Sequence, residues 1–359
     1  MLYKLIYIFH TDISWLNVFR YITFRTILSI LTSFLFCFVF GDWIIDKLRS
    51  LQMRQFVRDD GPPNHKAKQG TPTMGGCMFL PAVFLAIFLW VDWGNFYVLS
   101  MAFVMFFFAV IGFLDDWLKI KRQNSKGLRA SVKFSLQIVC SLLVAIVLYL
   151  HHGFDSRLVL PFFKEIRPDL GLGYILLMVF VITGSSNAVN LTDGLDGLAT
   201  GPLIVAFACY MALSYFAGHK IISSYLHIPY ISGAGEICVV CGALVGAGLG
   251  FLWYNAYPAE IFMGDTGSLS LGAALGMVAV ITKQEILLVI VGGLFVFEAL
   301  SVIIQVGYFK FTNGKRIFRM APVHHHFELK GWPEPKVIIR FWIVAILLAL
   351  CAVSTLKLR

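Results

Sequence analysis

The sequence predicts an all-α polytopic membrane protein of about ten transmembrane helices, folded as one domain over residues 1–359. Three observations carry this. Of the 359 residues, 58% are hydrophobic and only 14% charged, against roughly 45–50% and about 25% in soluble domains. The mean hydropathy is +0.80. Apolar runs of spanning length recur along the whole chain, and ten spans of about 20 residues would use roughly 200. An ordinary soluble enzyme and a disordered chain are both excluded.

The first run, at about 23–47, closes on Lys47 and Arg49. The second, 74–92, is opened by Lys68-Gln-Gly-Thr71-Pro-Thr73-Met-Gly75-Gly76, which offers a cation, hydroxyls and exposed N–H groups to an anion but is not a Walker A loop. The third, 95–114, ends in Asp115-Asp116, and the fourth is 131–150. The fifth, 171–190, runs into the polar segment Asn187 to Gly197, and the sixth is 199–217. The seventh, 234–252, carries Gly242, Gly246 and Gly250. The eighth, 267–282, is short and carries Gly272 and Gly276. Such small faces let helices approach closely. The ninth, 286–309, holds Glu298 and Gln305, two helical turns apart on one face, and the tenth is 337–355. No internal repeat is visible, which argues against an inverted-repeat transporter.

The seven cysteines all fall in apolar stretches, and an odd number there does not suggest a disulfide framework. Cys238-Val-Val-Cys241 reads as two small apolar residues in a membrane helix. The N-terminus has no cleavable signal pattern. A net charge of +9 points to phospholipid head groups or a phosphorylated substrate. Nucleic acid fits less well, because the basic residues sit in short loops. Loops after odd-numbered runs carry nineteen of the 29 Lys and Arg residues, so they are expected in the cytoplasm. Ten spans then place both termini outside; nine would put the C-terminus on the wrong side.

With that topology the polar motifs converge on the cytoplasmic face. Asp115 and Asp116 point about 100° apart on a helix, and Lys119 can pair with either. They read as a solvated helix end, or as carboxylates for Mg²⁺ or proton transfer at the membrane boundary. Asn187, Asn190, Asp193 and Asp196 recur every three residues and would form one polar ridge if the segment is helical. Amides and carboxylates on one ridge suit a base edge, a ribose or a hydrated cation. Asn255 to Ser268 contains Gly264-Asp265-Thr266-Gly267, a carboxylate directly before a helix. It reads as a helix N-cap, as a Mg²⁺ ligand beside substrate phosphates, or as both. His324-His325-His326 lacks a Cys pair for zinc, and its imidazoles can donate to phosphate or sugar oxygens.

Together, Asp115-Asp116-x-x-Lys119, Asn187-Ala-Val-Asn190-Leu-Thr-Asp193-Gly-Leu-Asp196-Gly, Phe262-Met-Gly-Asp265-x-Gly-Ser and Pro322-Val-His-His-His-Phe resemble the polyprenyl-phosphate N-acetylhexosamine-1-phosphate transferase superfamily. The His triplet narrows the resemblance to its phospho-N-acetylmuramoyl-pentapeptide transferase branch. It covers nearly the whole chain, with no departure at the motif positions. It implies a multi-pass protein of the bacterial inner membrane with periplasmic termini. The implied reaction takes UDP-MurNAc-pentapeptide and undecaprenyl phosphate to lipid I and UMP, with Mg²⁺ as cofactor, membrane lipid around the chain, no nucleic acid and a homodimeric assembly. By position, Asp265 would be the Mg²⁺ ligand, and Asp115 and Asp116 would be catalytic near the lipid phosphate. Asn190, Asp193, Asp196, Asn255 and Phe262 would form the nucleoside pocket. Lys68, Thr73, Lys119, Lys133, Gln305, His324 and His325 would contact phosphates, sugar or peptide. A sister enzyme transferring GlcNAc-1-phosphate to the same lipid is the nearest alternative, against which the His triplet speaks. A lipid-linked sugar transporter would need a polar path through the membrane, whereas these motifs stop at one face.

Overall fold

A computed structural model describes residues 2–53, 70–124, 127–163 and 166–357. Lys68 lies outside the described residues, as do Arg54, Arg58, Lys66, Lys126 and Lys164. The helices are α1 (Leu2–Ile8), α2 (Ile22–Ser50), α3 (Gly76–Trp90), α4 (Phe96–Lys121), α5 (Ala130–Tyr149), α6 (Gly173–Thr192) and α7 (Thr200–Gly218). They continue as α8 (Lys220–Tyr225), α9 (Gly235–Asn255), α10 (Gly264–Ile281), α11 (Glu285–Val291), α12 (Gly293–Phe311), α13 (Val323–Glu328) and α14 (Glu334–Ser354). No strand occurs among the described residues.

All ten apolar runs are helical. Among the described residues, nine helices are long and apolar enough to cross a membrane. The tenth, α3, has 15 residues, about 22 Å at 1.5 Å per residue and short of a hydrocarbon core of about 30 Å. The short element is therefore the second run and not the eighth, because α10 begins at Gly264, three residues before the apolar stretch. The ninth run is broken. Gly292 and Gly293 are poor helix formers, and α11 ends where Gly292 leaves the helical region (φ −91°, ψ 19°).

The glycine faces are helix contacts. A Cβ on Gly246 of α9 would lie 2.1 Å from the Ile30 carbonyl oxygen of α2. Gly272 and Gly276 of α10 press in the same way on the backbone of Ser186 and Ile182 in α6. Only small residues allow such approach. As a result α10 is buried along nearly its whole length, as expected for a helix apolar on all sides.

At the end where α2 and α9 begin, Arg25 donates to both carboxylate oxygens of Glu236 at 2.8 and 2.6 Å, and to the Trp90 carbonyl at 3.0 Å. Lys4 pairs with Asp92 at 2.6 Å, and Lys357 donates to the Tyr225 hydroxyl at 2.6 Å. Both chain ends therefore lie at one end of the bundle. The C-terminus of α4 and the N-terminus of α10 lie at the other. Arg25 is 3% exposed, so Arg25→Leu strands the Glu236 carboxylate. It should cost about 3–5 kcal/mol, by the usual penalty for halving a buried pair. Thermal unfolding in detergent checks this: the Arg25→Leu/Glu236→Leu double variant should recover much of the loss, and a single variant as stable as the parent contradicts it.

Candidate active site

Asp115 and Asp116 sit in the last two turns of α4 and turn to different neighbours, as adjacent helical residues must. Asp116 faces α10. Its Oδ2 accepts from the Thr266 amide at 2.9 Å and the Thr266 hydroxyl at 2.8 Å, and its Oδ1 from the Asp265 amide at 3.2 Å. A carboxylate on the positive end of a helix satisfies its free N–H groups. The cap of α10 is therefore Asp116, donated from another helix, and Asp265 stands just inside α10. Two glycines permit this. A Cβ on Gly112 would lie 2.2 Å from the Asp265 carbonyl oxygen. Gly264 has φ +71°, and a Cβ there would meet Asp116 Oδ2 at 2.8 Å.

The Asp265 side chain is thus presented with its own oxygens free for other groups. Oδ2 accepts from Lys133 Nζ at 2.6 Å and Lys119 Nζ at 2.9 Å, and Oδ1 from Asn190 Nδ2 at 2.7 Å. Asn190 is steadied by Ser268 Oγ at 2.8 Å. Asp115 pairs with Lys119 at 2.6 Å and accepts from the Leu128 amide at 2.9 Å. Lys119 reaches Asp116 only at 3.6 Å. Oxygens of Asp115, Asp116 and Asp265 lie within 4.8 Å of one another. Three carboxylates against two ammonium groups leave one net negative charge. All-oxygen donors of this kind fit a hard divalent cation such as Mg²⁺, which takes few protein carboxylates and keeps positions for water and phosphate. Among the described residues this is the one group of three or more such side chains that could hold a metal, and no histidine belongs to it.

The expected four-residue ridge does not form. The regular helix ends at Thr192, where Gly194 and Gly197 follow. Asn187 and Asn190 lie on α6, and Asn187 Nδ2 donates to Gln137 of α5 at 2.7 Å. Asp193 falls in the turn beyond. Burial, then the charges of Asp265, Asp116 and Asp196, push its carboxyl up to about 8. The shift favours its protonated form, in which the carboxyl can donate a hydrogen bond. Asp196 turns away, is buried, and accepts from the Ala259 amide at 3.0 Å.

The remaining sequence candidates divide by exposure. Thr73 and the Phe262 ring are half-exposed, and the segments that carry them are paired: the Phe262 amide donates to the Pro72 carbonyl at 2.9 Å. His325 is half-buried with Nδ1 2.8 Å from Glu328. Asn255 is buried, accepting from Thr200 Oγ1 at 2.8 Å and donating to the Ile261 carbonyl at 2.9 Å. Gln305 holds the backbone of Ile317 and Phe318 through both ends of its amide. His324 has no exposed surface. Asp196, Asn255 and Gln305 thus brace neighbouring backbone and side-chain groups. Sequence reasoning missed Thr266 and Ser268, which serve Asp116 and Asn190; both lie in the Gly-Asp-Thr-Gly-Ser run, whose hydroxyls were the available signal.

Comparisons with known proteins identify one family. The family model for glycosyl transferase family 4 matches residues 98–283, and a phospho-N-acetylmuramoyl-pentapeptide-transferase signature matches residues 68–80. The phospho-N-acetylmuramoyl-pentapeptide-transferase of Syntrophus aciditrophicus is 59% identical over 359 residues. Those of Desulforapulum autotrophicum and Pelobacter propionicus are each 57% identical. In every case the match covers 100% of both chains.

Proposed function

The chain belongs to the phospho-N-acetylmuramoyl-pentapeptide transferases, and from that premise we propose how its residues share the work. It transfers phospho-MurNAc-pentapeptide from UDP-MurNAc-pentapeptide to undecaprenyl phosphate, forming lipid I and UMP in peptidoglycan biosynthesis, as a multi-pass protein of the bacterial inner membrane. The end of the bundle that carries Asp265 faces the cytoplasm, both termini face the periplasm, and the chain works as one domain within a homodimer. The observation that carries the site is the carboxylate cluster of Asp115, Asp116 and Asp265 bridged by Lys119 and Lys133 at one end of an apolar bundle. A water-soluble nucleotide and a membrane-bound acceptor can meet there.

Asp265 would hold Mg²⁺, and the ion would supply positive charge to offset that of the pyrophosphate. Lys119 and Lys133, together with Lys68, contact phosphate oxygens. Asn190 and Asp193 face the nucleoside, with Asp193 donating to a base or ribose oxygen, and the Phe262 ring stacks on uracil. Thr73 and His325 contact sugar or peptide. Asp196, Asn255, Gln305 and His324 serve the same pocket from behind its surface.

A phosphate monoester has a second pKa near 6, so undecaprenyl phosphate is largely dianionic at pH 7 and already nucleophilic. Its oxygen forms the new bond to the β-phosphorus, the bond to the bridging oxygen breaks, and the electron pair leaves with UMP. Asp116 already accepts three hydrogen bonds from α10, and Asp115 is held by Lys119 and the Leu128 amide. Both carboxylates are committed to partners, which supports direct in-line attack over a covalent aspartyl-phosphate. Asp115 positions the acceptor phosphate and takes its residual proton at lower pH. Exchange of labelled UMP into UDP-MurNAc-pentapeptide tests this. Carefully delipidated enzyme should show none; exchange that disappears in Asp115→Asn or Asp116→Asn establishes the two-step route instead.

Phe262→Ala should weaken the UDP substrate about tenfold or more, since a base–aromatic stack contributes about 1–3 kcal/mol. The KM for undecaprenyl phosphate should not move. Equal losses for both substrates would contradict the assignment.

A further inference from the structure

Glu298 lies on α12 with no exposed surface. A carboxylate buried so deeply is costly unless a donor faces it. The group that faces it is His324 of α13, also without exposed surface, whose Nδ1 is 3.2 Å from Glu298 Oε2. This is an ion-pair distance without the alignment of a hydrogen bond. The opposite edge of the imidazole rests on Gly194: a Cβ there would fall 2.3 Å from Nε2 and 2.9 Å from Cε1. The ring is therefore a wedge between α12 and the turn that joins α6 to α7. That turn begins at Asp193, three residues after Asn190, which holds Asp265. The contacts of Glu298 and His324 do not include the carboxylate cluster itself.

We propose that Glu298 is a positioning residue for the transfer reaction. Its carboxylate fixes the His324 ring, the ring fixes the Gly194 backbone, and the backbone sets where Asp193 and Asn190 stand relative to Asp265. The inference rests on the reading above that Asn190 and Asp193 face the nucleoside. It explains why an acidic side chain is kept inside an apolar helix, and why Gly194 has no room for a side chain. The ring turns aside into a packed core if the carboxylate is lost, and the turn shifts with it.

The test is steady-state kinetics with each substrate varied in turn, joined to calorimetric titration with UMP. Glu298→Gln keeps the side chain's size and should raise the KM for the UDP substrate about tenfold, with kcat and the KM for undecaprenyl phosphate within about twofold. UMP affinity should fall in step. His324→Gln should behave alike, and the double variant should be no worse than the worse single one, because both act through one chain of contacts. Gly194→Ala retains the Glu298 and His324 side chains but forces the imidazole and the turn apart, so it should give the same split even if Glu298→Gln does not fold. An unchanged KM for the UDP substrate in folded Glu298→Gln or Gly194→Ala overturns the proposal. So do strictly additive losses in the double variant, or equal losses for both substrates. A parent protein that releases no UMP from its substrates would instead defeat the functional reading on which the inference rests.

Discussion

Asp265→Asn should reduce UMP release by at least about a thousandfold, the scale seen when a group that offsets charge in the transition state is lost. The substitution replaces one oxygen by an NH₂ group of the same size. Lys119, Lys133 and Asn190 all donate to the Asp265 carboxylate, so an amide there faces donors with a donor. The surplus negative charge of the cluster is cancelled, two carboxylates then facing two ammonium groups, and a divalent cation held there would lose its main anchor. Because the Asp116 cap on the α10 backbone is untouched, the melting temperature should stay close to that of the parent. Turnover at saturating Mg²⁺ and thermal unfolding together check this. Near-normal turnover would show that the cation, or the chemistry, lies elsewhere.

Asp116→Ala should lose both activity and stability. The Asp265 amide and the Thr266 amide and hydroxyl all donate to this one carboxylate, which is 3% exposed. Removing it leaves those donors in a buried site, at about 1–3 kcal/mol for a stranded group. Loss of a cap typically costs about 1 kcal/mol by itself. The start of α10 is then free to move, and Asp265 moves with it; displacement by an ångström or so can cost about a hundredfold in rate. Asp116→Asn keeps the shape and one acceptor, so it should melt nearer the parent while remaining slow. Full turnover in Asp116→Asn would mean that the charge on the cap is dispensable to the reaction.

The bundle was legible because its signals are local and repeated. Ten apolar runs became helices, and the glycine faces of α9 and α10 became close contacts with α2 and α6. Lys119 was readable from spacing as a partner of Asp115 or Asp116, which lie one helical turn away, and the structure selects Asp115. What was not legible depends on tertiary arrangement. Nothing in the order of residues says that Asp116 caps a helix 150 positions later. The three-residue recurrence from Asn187 to Asp196 suggested one ridge. Two glycines end the helix inside it, so Asp193 and Asp196 diverge. Asn255 braces Thr200 Oγ1 and the Ile261 carbonyl, and Gln305 braces the backbone of Ile317 and Phe318; composition cannot separate such a brace from a ligand contact. The pairing of Glu298 with His324 joins two motifs that looked independent in the chain.

The most direct measurement is UMP release by the purified full-length chain given UDP-MurNAc-pentapeptide, undecaprenyl phosphate and Mg²⁺. UMP and a lipid-linked product should appear in equal amounts, and only when both substrates and the cation are present. Chelation should stop the reaction and added Mg²⁺ restore it. A folded protein that forms no UMP with all three supplied, or forms it at the same rate without the lipid acceptor, would contradict the transfer reaction assigned here.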